Sequence, residues 1–188
     1  MFKDLVLKNR SYRRFYESEA VALDTLRDLV ELARLSPNGS NRQSLKFYLS
    51  AGEKNEEIFS CLGWAGHLKD WPGPEKGERP AAYILILNDK NIANNMDSNV
   101  GIAATSILLG AVENGLGGCM LGNVDRKKLT GLLSFPDHLE ISLAVALGKP
   151  KEVVVLEEVK ADGDVKYWRD ADKVHHVPKR KLEDLIVE

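Results

Sequence analysis

The sequence predicts an α+β fold, a central mixed sheet flanked by helices, in one domain spanning residues 1–188. Three observations lead there. Residues 82–87 (AYILIL) and 139–147 (LEISLAVAL) are apolar runs bounded by turn residues, the mark of buried strands. Between them, Val100, Ala104, Ile107, Leu108, Ala111 and Val112 recur at three- and four-residue spacings, which marks a helix. Helical and strand patterns elsewhere do not alternate in the regular order that a parallel βαβ sheet needs.

Taken in order, residues 2–8 form a short helical pattern that ends at NRSYRRF, residues 9–15. From residue 22 to 35, Leu26, Leu29, Val30 and Ala33 line one face of an amphipathic helix, which Ser36-Pro37 terminates. A polar loop, NGSNRQS, leads into a strand at residues 45–51, and residues 53–62 read as a modest helix. Residues 63–80 carry four glycines and three prolines, and a loop this long inside a compact domain is more often functional than accidental. Its tryptophans, Trp64 and Trp71, either cover a substrate pocket or pin the loop down.

The helix over residues 97–113 has almost no charge inside it and is thinned by Gly101, Ala103, Ala104, Gly110 and Ala111. A helix that is apolar nearly all round is buried on most sides. It is a core helix, or it is a seam between two copies of the chain. Asn114-Gly115 is the expected C-cap, followed by a glycine-rich loop to Gly122. Residues 125–133 read as a helix capped by Asn123 or Asp125. Beyond residue 150, segments 152–160 and 165–169 flank Ala161-Asp162-Gly163-Asp164, the expected turn of a hairpin. The tail is a basic turn before a short apolar stretch.

Composition bounds the function. The net charge of −2 argues against nucleic acid as the main partner. Two distant cysteines fit a reduced, cytoplasmic protein better than a disulfide scaffold, and the opening residues lead directly into a helical pattern, so no signal peptide is expected. No run is long and apolar enough for a membrane span. There is no Walker loop, HExxH or nucleophile elbow, and the histidines (His67, His138, His175, His176) have no metal-ligand spacing, so they read as surface or structural. The glycines of residues 115–122 do not fit a dinucleotide fingerprint, because Met120 stands where the third glycine belongs and a helix precedes them. What remains is cationic. Arg10, Arg13 and Arg14 lie near one end of the chain and Lys179, Arg180 and Lys181 near the other, both suited to a phosphate.

These pieces occur in the order of a known family. NRSYRRF resembles the RRSxRxF-type opening motif of the FMN-dependent nitroreductase superfamily, with Asn9 where an arginine is frequent. SPNGSNRQSLKF resembles its PSxxNxQPWxF-type loop, with Ser44-Leu45 in place of Pro-Trp. Residues 97–122 resemble its central helix and trailing GLGxCxxG segment, ISLAVALGKPKE its following strand and turn, and VPKRKLED its basic C-terminal motif. The resemblance implies an intertwined homodimer with FMN sites built from both subunits and the helix over residues 97–113 in the seam. It implies that Arg10, Ser11 and Arg13 hold the phosphate, ribityl chain and pyrimidine edge of FMN, and that Lys179 and Lys181 add phosphate contacts. Asn41 and Gln43 would line the cofactor, and Leu121 and Gly122 would lie beside the flavin ring. The implied activity is hydride transfer from NAD(P)H through the flavin to a nitroaromatic, quinone or related acceptor by a ping-pong mechanism. The flavin would carry the chemistry, with no side-chain nucleophile and no metal, and Trp64 and Trp71 would contact substrate. Alternatives are a non-enzymatic flavin-storage protein, or a reductive dehalogenase or enoyl reductase of the same superfamily.

Overall fold

The computed structural model describes residues 1–94 and 97–187. Its frame is a four-stranded sheet of order β1-β2-β4-β3, antiparallel at every pairing. The strands are β1 (Leu45–Ser50), β2 (Ala82–Asp89), β3 (Gly117–Leu121) and β4 (Leu139–Gly148). Helices cover both faces, so β2 has to be apolar on both sides, and that explains an unbroken run where a half-solvated strand would alternate. Ala82, Ile84 and Ile86 meet α2 (Leu23–Leu35) and α4 (Asp97–Glu113). Tyr83, Leu85 and Leu87 face the other way, with Ile58 of α3 (Asn55–Phe59) and Leu129 of α5 (Arg126–Leu133). A bulge between Ile86 and Leu87 skips Ser142, so Ile141 and Ala144 share a face although they are three residues apart.

The helix ends follow local chemistry. Asp125 caps α5, its carboxylate accepting the Lys128 N–H at 3.1 Å. Gly115, at φ +71°, turns the chain out of α4, and the Leu116 N–H bonds the Ala111 carbonyl at 2.8 Å. Part of α4's thinness serves its own chain. A Cβ on Gly110 would lie 2.3 Å from a methyl of Leu32, so the glycine admits α2. Gly101 has open space around it and Ile102 is 37% exposed, leaving that face of α4 uncovered within one chain.

Two expectations are corrected. The passage after Gly115 is a strand, not a loop: β3 pairs with β4 from Gly117 to Leu121. The expected hairpin does not form. Segments β5 (Val154–Glu158) and β6 (Trp168–Arg169) both pair with a third strand, β7 (His175–Lys179), giving the order β5-β7-β6, with β5 parallel and β6 antiparallel to β7. The basic tail therefore enters a sheet before it turns. His176 links β7 to both of its neighbours. Its ring stacks on Trp168 of β6 at 4.0 Å, and its nitrogens reach Glu157 of β5 at 2.5 Å and Asp170 at 3.1 Å. Those carboxylates hold the His176 pKa above its ordinary value.

Candidate functional site

Residues 9–15, after α1 (Phe2–Lys8), run across the end of the sheet as an extended strap. Ser11 bridges Gly118 of β3, the Tyr12 N–H bonds the Gly118 carbonyl at 3.0 Å, and Phe15 bridges Pro150. The two glycines of β3 make room for different neighbours, the strap at Gly117 and β4 with α4 at Gly118. A Cβ on Gly117 would sit 2.5 Å from the Tyr12 ring, and one on Gly118 would sit 2.5 Å from the Ala146 carbonyl. The glycine-rich signal therefore reflects close packing on β3, by the Tyr12 ring at Gly117 and by the β4 backbone and two leucines at Gly118.

The strap sorts its arginines. Arg14 is buried and closes on Glu78 through two bonds of 2.6 Å, with Lys151 joining at 3.0 Å. Those two cations lower the Glu78 pKa to about 2, Arg14 first. Among the described residues Arg10 bonds only the Val6 carbonyl, at 2.8 Å. Arg13 donates to the Ser11 carbonyl at 3.2 Å and lies 3.4 Å from Nε2 of His175. Glu152 lies beside it, its Oε2 accepting the Arg13 backbone N–H at 2.8 Å. Its other oxygen accepts from Arg169 Nε at 3.0 Å, so Arg13's guanidinium stays without a carboxylate.

Arg10, Ser11 and Arg13 line one cavity of about 270 Å³ together with Lys179, which arrives on β7, and with Asn9, Tyr167 and His175. No carboxylate is in that lining, and neither Arg10, Arg13 nor Lys179 has an acidic partner among the described residues. The second sheet thus brings the two ends of the chain together, which the sequence alone did not do. His175 was missed, having been read with the other histidines as surface or structural. It is only 1% exposed, and burial followed by the charges of Arg13, Arg169 and His176 pushes its pKa down to about 4. Tyr167 was missed too. Its ring lies under the Arg13 guanidinium at 4.9 Å and beside His175 at 5.1 Å. The signal that would have found His175 is the alternation of a strand, in which His175 and His176 face opposite ways.

The other expected residues lie elsewhere. Lys181 points away to Glu158 at 3.1 Å. Leu121 ends β3, three residues beyond Gly118 and so about 10 Å along the strand. Gly122 follows it, exposed. Asn41 and Gln43 line a separate small cavity with Asn38, Phe47 and the end of α2. Their loop is strained, since Ser40, Asn41 and Gln43 all have positive φ, at 52°, 49° and 53°. Such conformations persist where surrounding structure imposes them: here Asn99 accepts the Gly39 N–H at 2.8 Å and Asn38 the Gln43 N–H at 3.1 Å. Trp71 lines the larger cavity, about 610 Å³, between residues 67–78 and β6, with Arg169 stacked on its ring at 4.1 Å. Trp64 is buried behind it, ring centroids 6.5 Å apart.

Comparison with known proteins bears on this arrangement. The sequence model described as the Nitroreductase family matches residues 6–149. A putative nitroreductase in complex with FMN from Desulfovibrio desulfuricans is 23% identical and superposes with a TM-score of 0.71 over 100% of this chain and 95% of that one. A nitroreductase family protein from Streptococcus pneumoniae TIGR4 is 15% identical, with a TM-score of 0.69 over 100% and 99%. An FMN-dependent nitroreductase from Clostridium difficile R20291 is 23% identical, with a TM-score of 0.64 over 78% and 86%. At these identities the structures speak for the fold, while the sequence match takes in the strap, both glycines of β3 and the whole central sheet. The chain belongs to the nitroreductase family.

Proposed function

We propose that this chain is an FMN-dependent oxidoreductase, and that the bound flavin relays hydride from NAD(P)H to a nitroaromatic, quinone or related acceptor in alternating half-reactions. The observation that carries this reading is the cavity where Arg10, Arg13 and Lys179 converge without a counter-charge. A phosphate monoester brings a charge of roughly −1.5 to −2 at neutral pH, which matches such a lining. Arginine forks and a lysine point charge both suit its oxygens. Ser11, on the same strap, would bond the ribityl hydroxyls, and Leu121 at the end of β3, with Gly122 just after it, would flank the flat ring. That spacing suits a ligand whose charged and planar ends are separated by a short polyol. In this placement the protein binds and orients, and a fixed cation beside the cofactor favours added negative charge there.

The reading extends to a homodimer of single-domain subunits. Asn41 and Gln43 lie apart from the cationic cavity in one chain, and a second copy packed on the open face of α4 would bring its own strained loop to the site. Lys181 would shift from Glu158 to the phosphate only with that rearrangement. Trp71, with Trp64 behind it, is assigned to the acceptor. The two cysteines are free and buried, which fits the cytoplasm, and no helix of the described residues is long and apolar enough to cross a membrane.

The test is direct. The purified, FMN-loaded protein is mixed with NADH or NADPH without oxygen while the visible absorbance of oxidised flavin is followed. Rapid bleaching, reversed by a nitroaromatic or quinone, is the expected result and names the donor. No bleaching with either nucleotide, where dithionite still reduces the flavin, would overturn the NAD(P)H-dependent activity.

A further inference from the structure

The larger cavity differs from the cationic one in how its charges are answered. Two arginines form its floor, and each is closed on a carboxylate: buried Arg14 on Glu78, and Arg169 on Glu152, whose side chain is sealed from solvent. Lys151 joins Glu78 from outside the lining. The remaining charges stand at the exposed rim, where Lys69 and Lys173 are matched by Asp70 and Glu75. In the cationic cavity, by contrast, Arg10, Arg13 and Lys179 meet no carboxylate. The two cavities lie back to back. His67 lines the larger one, and its ring packs edge-on against Tyr167 of the smaller at 4.8 Å.

Trp168 and Arg169, successive residues of β6, supply what a flat ligand needs. Nε of Arg169 donates to Oε1 of Glu152 at 3.0 Å and Nη2 donates to the same oxygen, while the guanidinium lies over the Trp71 ring at 4.1 Å. Nη1 is left without a partner among the described residues. It is a donor whose positive charge is already compensated, which suits a nitro or quinone oxygen better than a carboxylate. Trp168 is 42% exposed although His176 covers one face of its indole at 4.0 Å. The stacked imidazole fixes the ring, and its uncovered side lines the cavity as a platform for an electron-poor aromatic.

We propose that this cavity receives acceptors without net charge, stacked on Trp168 with an oxygen on Nη1 of Arg169, and that the Glu152–Arg169 pair keeps anions out of it. The inference names the acceptor class for the oxidoreductase reading above and rests on that reading. An anion entering here gives up its hydration to a floor without a free counter-charge, whereas a nitro or carbonyl group gives up little. The volume of about 610 Å³ is in the range that encloses a small aromatic ligand.

Two probes isolate charge: 4-nitrobenzamide and 4-nitrobenzoate share a ring, a nitro group and nearly the same size. Their dissociation constants are measured on the oxidised protein as purified, by quenching of tryptophan fluorescence without turnover, with thermal midpoints recorded alongside. The amide should bind roughly tenfold tighter or more, since only the benzoate brings an uncompensated charge. Glu152→Gln frees the charge of Arg169, so the preference should fall to within about threefold or reverse. Trp168→Ala should weaken both probes together, by about threefold to tenfold for one lost stacking face, with Trp71 still reporting. If the freed arginine prevents folding, Trp168→Lys decides: an unpaired cation on the same exposed wall should move the ratio towards the benzoate relative to Trp168→Ala. Equal affinity for both probes in the wild type, a ratio unmoved by the freed or added cation, or undiminished binding in Trp168→Ala overturns the inference. A protein that retains no FMN overturns the function proposed above instead, and the charge preference is still decided because it is read without turnover.

Discussion

Arg13 and Arg14 are neighbours in the chain and end in opposite electrostatic circumstances. Arg14 turns inward to Glu78, and removing one partner of a buried pair leaves an uncompensated charge that costs roughly 3–5 kcal/mol. Glu78→Gln should therefore lower the thermal midpoint markedly, with FMN affinity per folded molecule little changed, because Glu78 does not line the cationic cavity. The pH dependence has a definite sign. Glu78 titrates at about 2 in the fold, against an ordinary carboxylate value of 4.5. Its contribution is thus complete above the unfolded value and is lost as pH falls from about 4.5 towards 2. Thermal midpoints across that window should converge between wild type and Glu78→Gln, and a constant gap would show that the pair is not the source. The sequence displayed three arginines within five residues but not their fates, because the deciding partners are 64 residues away for Arg14 and 162 for Arg13.

At the scale of elements, β3 ties the fold to the site. Gly117 admits the Tyr12 ring of the strap, whereas Gly118 faces the Ala146 carbonyl of β4 at 2.5 Å and the packed Leu108 and Leu147. A backbone neighbour cannot rotate away. Gly118→Ala should cost about 3 kcal/mol, the upper part of the overpacking range, and should weaken FMN binding because a shifted β3 carries with it the strap bonded to the Gly118 backbone. Chemical denaturation measures the first effect and flavin titration the second. Stability within 0.5 kcal/mol of wild type, roughly the scatter of neutral surface changes, would mean that β4 and Leu108 do not press on Gly118. The strand β7 was the element least visible in advance. Its five residues, HHVPK, carry no apolar alternation, and Pro178 has no N–H to give a sheet. Only Glu157, Trp168 and Asp170, brought together from separate segments, give His176 a reason to be there.

For the whole molecule, the open face of α4 is the feature that one chain leaves unfinished. Ile102, 37% exposed, and the open space at Gly101 lie on it, opposite the residues that pack on the sheet. In the proposed homodimer this face is the seam, so Ile102→Glu should shift the protein from dimer to monomer in sedimentation and lower FMN retention with it. A wild-type monomer that holds FMN would remove the second copy from the site. The sequence by itself determined β2, β4, α2, α4 and α5, because each is written in a local apolar period or a cap that neighbouring residues complete. It also determined that cations gather near both ends of the chain. The tertiary structure alone decided that these ends share one cavity, that Arg14 is spent on Glu78 while Arg13 stays free, and that His175 faces inward. The physical reason is range: periodicity and capping act over a few residues, whereas charge compensation and burial depend on partners that only the folded chain brings within a few ångströms.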